Sequence, residues 1–271
     1  MAKTRLLIVS YEGLVAEAMR KPTQRFGRET PHQLLDNIQQ RASTRVIIFT
    51  ERHFKRLAEE IEFRPLPEIW GVGGLERVMP DGSYDLPRFD AWQLRGLAES
   101  DYMVDKAGLQ RWVEHKPGGS ALRLNGIEYD AGLELKLKIW PEWSDIAKRY
   151  SLALFDLGDS IELRLPARSR AEAIKMILLE TPTNVPIAYL GSNQLDAFGF
   201  EMSRYRSLNV MVGDQRANTS ANVRLRSQDE LFAFLQKWME CCTRARNEAI
   251  GHARCGLECA KVERISSSWS S

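Results

Sequence analysis

Short apolar runs that stop abruptly at polar residues or glycine alternate along this chain with longer segments of helical periodicity. Leu6-Leu7-Ile8-Val9 is the first such run, and it ends in Ser10-Tyr11-Glu12-Gly13. A short, continuous apolar run with β-branched members predicts a strand buried on both faces, as in a parallel sheet. Arg45-Val46-Ile47-Ile48-Phe49-Thr50, Ile187-Ala188-Tyr189-Leu190 and Leu208-Asn209-Val210-Met211-Val212 repeat the pattern. Helices are predicted between them. Thr30-Pro31 is an N-terminal signal ahead of Leu34, Leu35 and Ile38, which share one face. Glu51-Arg52-His53 opens a second helix to about Ile61, and Ser227 caps a last one whose apolar face is Leu231, Phe234, Leu235 and Trp238.

The pattern changes after the turn Met79-Pro80-Asp81-Gly82-Ser83. Leu133, Leu135, Leu137 and Ile139 alternate with Glu134, Lys136 and Lys138, which predicts a half-buried strand or a lysine-guarded edge strand. Trp140-Pro141-Glu142-Trp143 is expected to open a helix to about Tyr150. Residues 152–166 read as two strands joined through Gly158-Asp159. The expected class is α/β: a Rossmann-like, parallel-sheet core over 1–81 and 165–240, an α/β cap inserted at 82–164, and a tail over 241–271.

The formal net charge of +2 over 271 residues gives no electrostatic footprint for nucleic acid or a membrane surface. No apolar stretch is long enough to span a bilayer, and the N-terminus lacks the pattern of a signal peptide, so a cytoplasmic protein is expected. All four cysteines, Cys241, Cys242, Cys255 and Cys259, lie in the tail, where none can staple the body. His252, Cys255 and Cys259 fall at helical spacing but match no standard zinc pattern.

Candidate chemistry begins at Ser10 and Glu12, because ligands of open α/β sheets gather past the carboxyl ends of the strands. Further along stand Thr50-Glu51-Arg52, Gly73-Gly74-Leu75-Glu76, Arg111-Trp112-Val113-Glu114-His115-Lys116-Pro117, Arg168-Ser169-Arg170, Gly191-Ser192-Asn193-Gln194-Leu195-Asp196 with Phe200, and Thr219-Ser220-Ala221. In this order and spacing, the series resembles the haloacid dehalogenase superfamily of phosphatases, in its trehalose-6-phosphate phosphatase-like branch. The resemblance covers about residues 5 to 240.

The resemblance assigns roles, and the residues depart from several of them. Ser10 stands for the family's aspartate nucleophile and Glu12 for its aspartate acid/base. Thr50 matches the hydroxyl that bonds a phosphoryl oxygen, and Arg170 replaces the lysine that neutralises it. Arg52, Glu76, Glu114, Lys116 and Arg123 fall at substrate-binding positions, with Arg123 where histidine is frequent. Ser10, Glu12, Ser192, Asn193 and Asp196 occupy the magnesium-site positions, with Ser192 and Asn193 replacing two aspartates. Glu51 replaces a glycine. It either sets a negative charge against an incoming phosphate or caps the following helix and points to solvent.

A carboxylate nucleophile is anionic at neutral pH, whereas Ser10 must first lose a proton. Magnesium favours oxygen ligands that include one or two carboxylates. The resemblance and these departures together imply a pseudophosphatase without a cofactor. Its expected partner is a sugar phosphate, or an enzyme of trehalose or disaccharide metabolism such as a trehalose-phosphate synthase. The alternative is an active sugar-phosphate phosphatase with an altered mechanism built on Ser10 or Glu12, which would bring magnesium with it.

Overall fold

A computed structural model describes residues 5–20, 29–158, 160–192, 194–213 and 220–241. Asn193, Thr219, Asp159, Cys242 and the tail residues His252, Cys255 and Cys259 lie outside the described residues. The chain divides into two compact units, one built from Met1–Ile48, Ile61–Glu68 and Leu178–Ser271, the other from Phe49–Glu60 and Ile69–Ile177.

The first unit carries β1 (Arg5–Ser10), a π-helical turn (Tyr11–Ala16) running into α1 (Glu17–Arg20), α2 (Pro31–Arg41) and β2 (Thr44–Phe49). Later in the chain it adds β10 (Ile187–Gly191), α7 (Gln194–Ser203), β11 (Leu208–Val212), β12 (Val223–Leu225) and a last helix, 228–241. The strand order is β12-β11-β10-β1-β2. β1 runs parallel to β10, β10 to β11 and β11 to β12. Leu6, Leu7, Ile8 and Val9 are all buried, as an apolar run covered on both faces requires. Thr30 and Gln33 form a reciprocal capping box on α2, with Pro31 in its first turn, and Leu34, Leu35 and Ile38 are buried. Ser227 Oγ accepts the N–H of Glu230 at 3.2 Å and so starts the last helix. Arg45 pairs with the buried Glu68 at 2.5 Å.

The second unit holds α3 (Phe54–Glu60), β3 (Glu68–Gly71) from Ile69 onward, a 3-10 turn (Val72–Gly74), β4 (Glu76–Val78) and β5 (Tyr84–Asp85), the three strands being antiparallel. It continues with α4 (Ala91–Lys106), β6 (Val113–Lys116), β7 (Gly119–Arg123), α5 (Tyr129–Tyr150), β8 (Ala153–Asp156), β9 (Ser160–Arg164) and the start of α6 (Arg170–Glu180). A four-stranded antiparallel sheet has the order β6-β7-β9-β8. Leu122, Ile161 and Leu163 from this sheet, Val104 from α4, and Ile139, Trp143, Ile146 and Tyr150 from α5 build its core.

One predicted strand is a helix. Residues 133–139 lie inside α5, with Leu133 and Leu137 exposed and Ile139 buried. The buried positions Ile139, Trp143, Ile146 and Tyr150 follow a three-and-four spacing, and this longer stripe decides the conformation over the local alternation. Pro141, read as a helix opener, sits inside the helix. Among the described residues, no helix is long and apolar enough to cross a membrane.

Candidate functional site

In the first unit, Ser10 closes β1 and is fully buried, while Glu12 is half-buried in the π-helical turn. Tyr11 turns inward and stacks on His32, with ring centroids 5.9 Å apart. Gly13 then meets the second candidate motif. A Cβ at position 13 would stand 1.8 Å from Ser192 Oγ, so only glycine lets the two loops approach this closely. Ser192 is buried, and its N–H donates to Asp196 Oδ2 at 2.7 Å. The Tyr189 hydroxyl donates to the other oxygen of Asp196 at 3.0 Å. Asp196 is therefore a fully buried clasp between the end of β10 and the start of α7. Tyr189 in turn packs edge-on against Phe200.

This donor set does not fit a magnesium centre. Two hydroxyls, of Ser10 and Ser192, occupy positions that the resemblance assigns to carboxylates, and both Asp196 oxygens accept hydrogen bonds from the protein. Glu12 is a carboxylate two residues from Ser10 in the chain. Among the described residues, no three His, Cys, Asp or Glu side chains gather to hold a metal.

The second unit is rich in charge. The loop after β2 and the loop after β3 are laced together by backbone hydrogen bonds. Thr50 N–H donates to Trp70 O at 2.9 Å, Gly73 N–H to Thr50 O at 3.0 Å and Val72 N–H to Arg52 O at 3.0 Å. Thr50 is buried, and its hydroxyl accepts the Arg52 N–H at 3.0 Å. The Arg52 guanidinium reaches along α3 to Glu60. Glu76 is fully buried and holds the entry to α3: it accepts from His53 Nδ1 at 2.9 Å, Phe54 N–H at 2.7 Å and the Tyr84 hydroxyl at 3.0 Å. Burial, with the Glu76 charge beside it, pushes the Tyr84 hydroxyl pKa up.

Glu51 does not point to solvent. Its Oε1 lies 2.6 Å from Arg170 Nη2 and its Oε2 lies 3.5 Å from Arg164 Nη1. Lys116 Nζ donates to the Glu51 carbonyl at 3.0 Å and pairs with Glu162 at 2.5 Å. Burial alone would push the Glu51 carboxyl up, but Arg170, Arg164 and Lys116 outweigh it and hold the group below the ordinary glutamate value.

A cleft of about 430 Å³ opens in the same unit, lined by His53, Arg56, Arg111, Trp112, Val113, Glu114, His115 and Arg123. Glu114 is clamped by Arg123 through both Nε and Nη2, and by Arg56 at 2.8 Å. Burial would raise the Glu114 carboxyl, and these cations together hold it below its ordinary value. Arg111 stacks on Trp112 at 4.8 Å. The structure thus brings Glu114 and Arg123 to one cleft. It places Lys116 and Arg170 around Glu51, and commits Arg52 to Glu60 and Glu76 to His53, Phe54 and Tyr84. Sequence reasoning missed Arg56, Arg111, Trp112, His53 and His115 as lining groups. The density of basic and aromatic residues over 111–115 was the available signal.

No protein-family model matches the chain, and no curated protein sequence does. Solved structures do. A trehalose-6-phosphate phosphatase related protein superposes with a TM-score of 0.67 at 17% identity, over 89% of this chain and 99% of that one. The fold is that of a trehalose-6-phosphate phosphatase-like haloacid dehalogenase. The C-terminal domain of the Candida albicans trehalose-6-phosphate phosphatase matches with a TM-score of 0.66 at 17% identity, over 88% of this chain and 93% of that one. The C-terminal domain of the Candida albicans trehalose synthase regulatory protein gives 0.62 at 13%, over 87% and 94%. The haloacid dehalogenase fold explains the mixed α/β build and the parallel strand order of the first unit.

Proposed function

We propose that this protein is a pseudophosphatase, a phosphatase-like fold that holds a sugar phosphate without hydrolysing it. The observation that carries the reading is the pair of buried hydroxyls, Ser10 at the end of β1 and Ser192 against the bare backbone of Gly13, where phosphoryl transfer through this fold would call for carboxylates. A serine hydroxyl is a poor nucleophile until a base takes its proton. Each tenfold loss of rate corresponds to ~1.4 kcal/mol, and loss of nucleophile and metal together removes many such factors. Binding has what it needs in the cleft. Three arginines and two histidines line it beside one glutamate, a lining suited to an anionic ligand. Solved structures named trehalose-6-phosphate phosphatase and trehalose synthase regulatory protein support this ligand class. The fold it shares with a regulatory protein's domain supports a role in disaccharide metabolism, where a trehalose-phosphate synthase or related enzyme would be the partner.

The test is phosphate release from trehalose-6-phosphate with excess magnesium, beside isothermal titration of the same ligand. The expected result is measurable binding with no release. Turnover by the wild type that Ser10→Ala abolishes would replace this reading with an active enzyme of altered mechanism. Absence of binding heat would remove the sugar phosphate and leave a partner enzyme, to be sought by co-purification.

A further inference from the structure

α5 carries two apolar stripes, and only one of them is covered. Ile139, Trp143, Ile146 and Tyr150 are buried, and the helix packs on α4, β8 and β9. The second stripe is Tyr129, Leu133, Leu137 and Trp140. All four are exposed, Tyr129 at 81% and Leu137 at 66%. Their spacing of four, four and three residues keeps them on one face of the helix over about three turns. Ser144 and Ala147 continue that face with small side chains. Single apolar residues scattered over a surface are ordinary, whereas a contiguous row of large ones marks an interaction surface.

The row is complementary to itself. Its large residues lie toward the start of the helix and its small ones toward the end. Laid antiparallel on a second α5, about a twofold axis between Lys138 and Ile139, Leu137 meets Trp140 of the second copy. Leu133 and Tyr129 then lie over the second copy's Ser144 and Ala147. The charges agree with this pairing. At about 3.6 residues per turn, Asp130 and Lys148 are whole turns apart and share one flank of the row. Both are exposed, and neither has an ion-pair partner among the described residues. In an antiparallel pair like flanks face each other, so Asp130 of each copy stands opposite Lys148 of the other. The two signs also suit the ends of a single helix, but the helix dipole leaves the exposed apolar row unexplained.

We propose that α5 is a self-association surface: two copies of this chain pair through Tyr129, Leu133, Leu137 and Trp140 as an antiparallel, twofold helix pair. Such a contact uses the same face on both copies, so it closes on itself and stops at a dimer. One helix face per copy lies at the small end of protein interfaces, below ~1,200 Å² in total, so the dimer is reversible and dissociates in the micromolar range. α5 packs on β8 and β9, whereas the cleft with Glu114 and Arg123 lies at β6 and β7. The pairing therefore leaves that cleft open and does not depend on the sugar-phosphate reading.

Sedimentation of the full chain over a concentration series tests it. The wild type should pass from monomer to dimer, and a chain still monomeric at about 1 mM overturns the proposal. Leu137→Asp should weaken the dimer by roughly tenfold or more, because the residue lies beside the twofold axis and enters the contact twice. Its side chain is exposed, so the fold should survive, which circular dichroism and the melting temperature check. A dimer indifferent to Leu137→Asp forms elsewhere and overturns the proposal. The charges give a second test that leaves the apolar row intact and decides the matter if Leu137→Asp does not fold. Asp130→Lys and Lys148→Asp should each dimerise more weakly than the wild type when alone. An equimolar mixture of the two should recover the wild-type dimer, because every flank then meets the opposite sign. A mixture no better than either variant alone overturns the antiparallel pair, and the proposal with it.

Discussion

Around Ser10 and Ser192, in the first unit, two neutral hydroxyls are buried, that of Ser192 against Gly13, and the buried acid Asp196 is spent on holding a loop. Around Glu51, in the second, three cations and two carboxylates crowd into a buried network. The resemblance leads one to expect charge in both places, and they have gone opposite ways. On the reading proposed above, the difference teaches that the electrostatics of chemistry and of recognition can be separated in one fold. Phosphoryl transfer calls for a charged nucleophile and metal-binding acids, whereas holding an anion calls for cations. The hydroxyl region has become a packing problem, and the charged region is still an electrostatic one.

That contrast can be broken at either end. The largest effect is expected from Lys116→Met. It strips Glu162 of its nearest partner and should cost ~3–5 kcal/mol in urea unfolding, as loss of one member of a buried pair does. A cost near zero would mean that the network contributes no stability. Next comes Gly13→Ala, an overpacking change of about 1–3 kcal/mol. Adding Ser192→Gly should recover most of it, because both clashing atoms belong to Ser192. Failure of that rescue would show that sterics do not rule the hydroxyl region.

Acid should act on the charged region. The folded pKa values of Glu51 and Glu114 lie below the ordinary value of 4.5, so their contribution is complete above that pH and is lost as pH falls through the lowered values. Urea midpoints measured from pH 6 down to pH 3 should be flat at first and then decline. Glu51→Gln should flatten the decline, and an unchanged profile would remove Glu51 from the account. The smallest effect is expected for Arg52→Ala. Its pair with Glu60 is partly exposed, and the loss should stay within ~0.5 kcal/mol.

The elements that sequence made plain are those whose signals are local. The run at Leu6–Val9 could be little but a buried strand, and Thr30-Pro31 marks a helix start whatever the rest of the chain does. Residues 133–139 misled because their alternation is short, while the stripe that governs α5 lies mostly beyond it, at Ile139, Trp143 and Ile146. The replacement of acids at Ser10 and Ser192 could be read directly. The inward turn of Glu51 could not. An acid between a strand and a helix reads as a solvated cap, and its partner Arg170 stands 119 residues away along the chain. Arg56 and Arg111 escaped for the same reason, since only the folded second unit gathers them into one cleft.

The start of α6 is held without help from its most consequential residue. Ser169 and Glu172 close the first turn on each other, through Ser169 N–H to the Glu172 carboxylate at 2.8 Å and Glu172 N–H back to Ser169 Oγ at 3.3 Å. Position 170 is thereby insulated from the integrity of the helix it begins. Replacing the cation there is expected to alter its pair with Glu51 and leave the backbone of the first turn in place. Gly13 and Ser192 grant no such freedom, because each has shaped itself to the other. A change at position 170 is therefore expected to leave the first turn of α6 in place, whereas a change at Gly13 must be answered at Ser192.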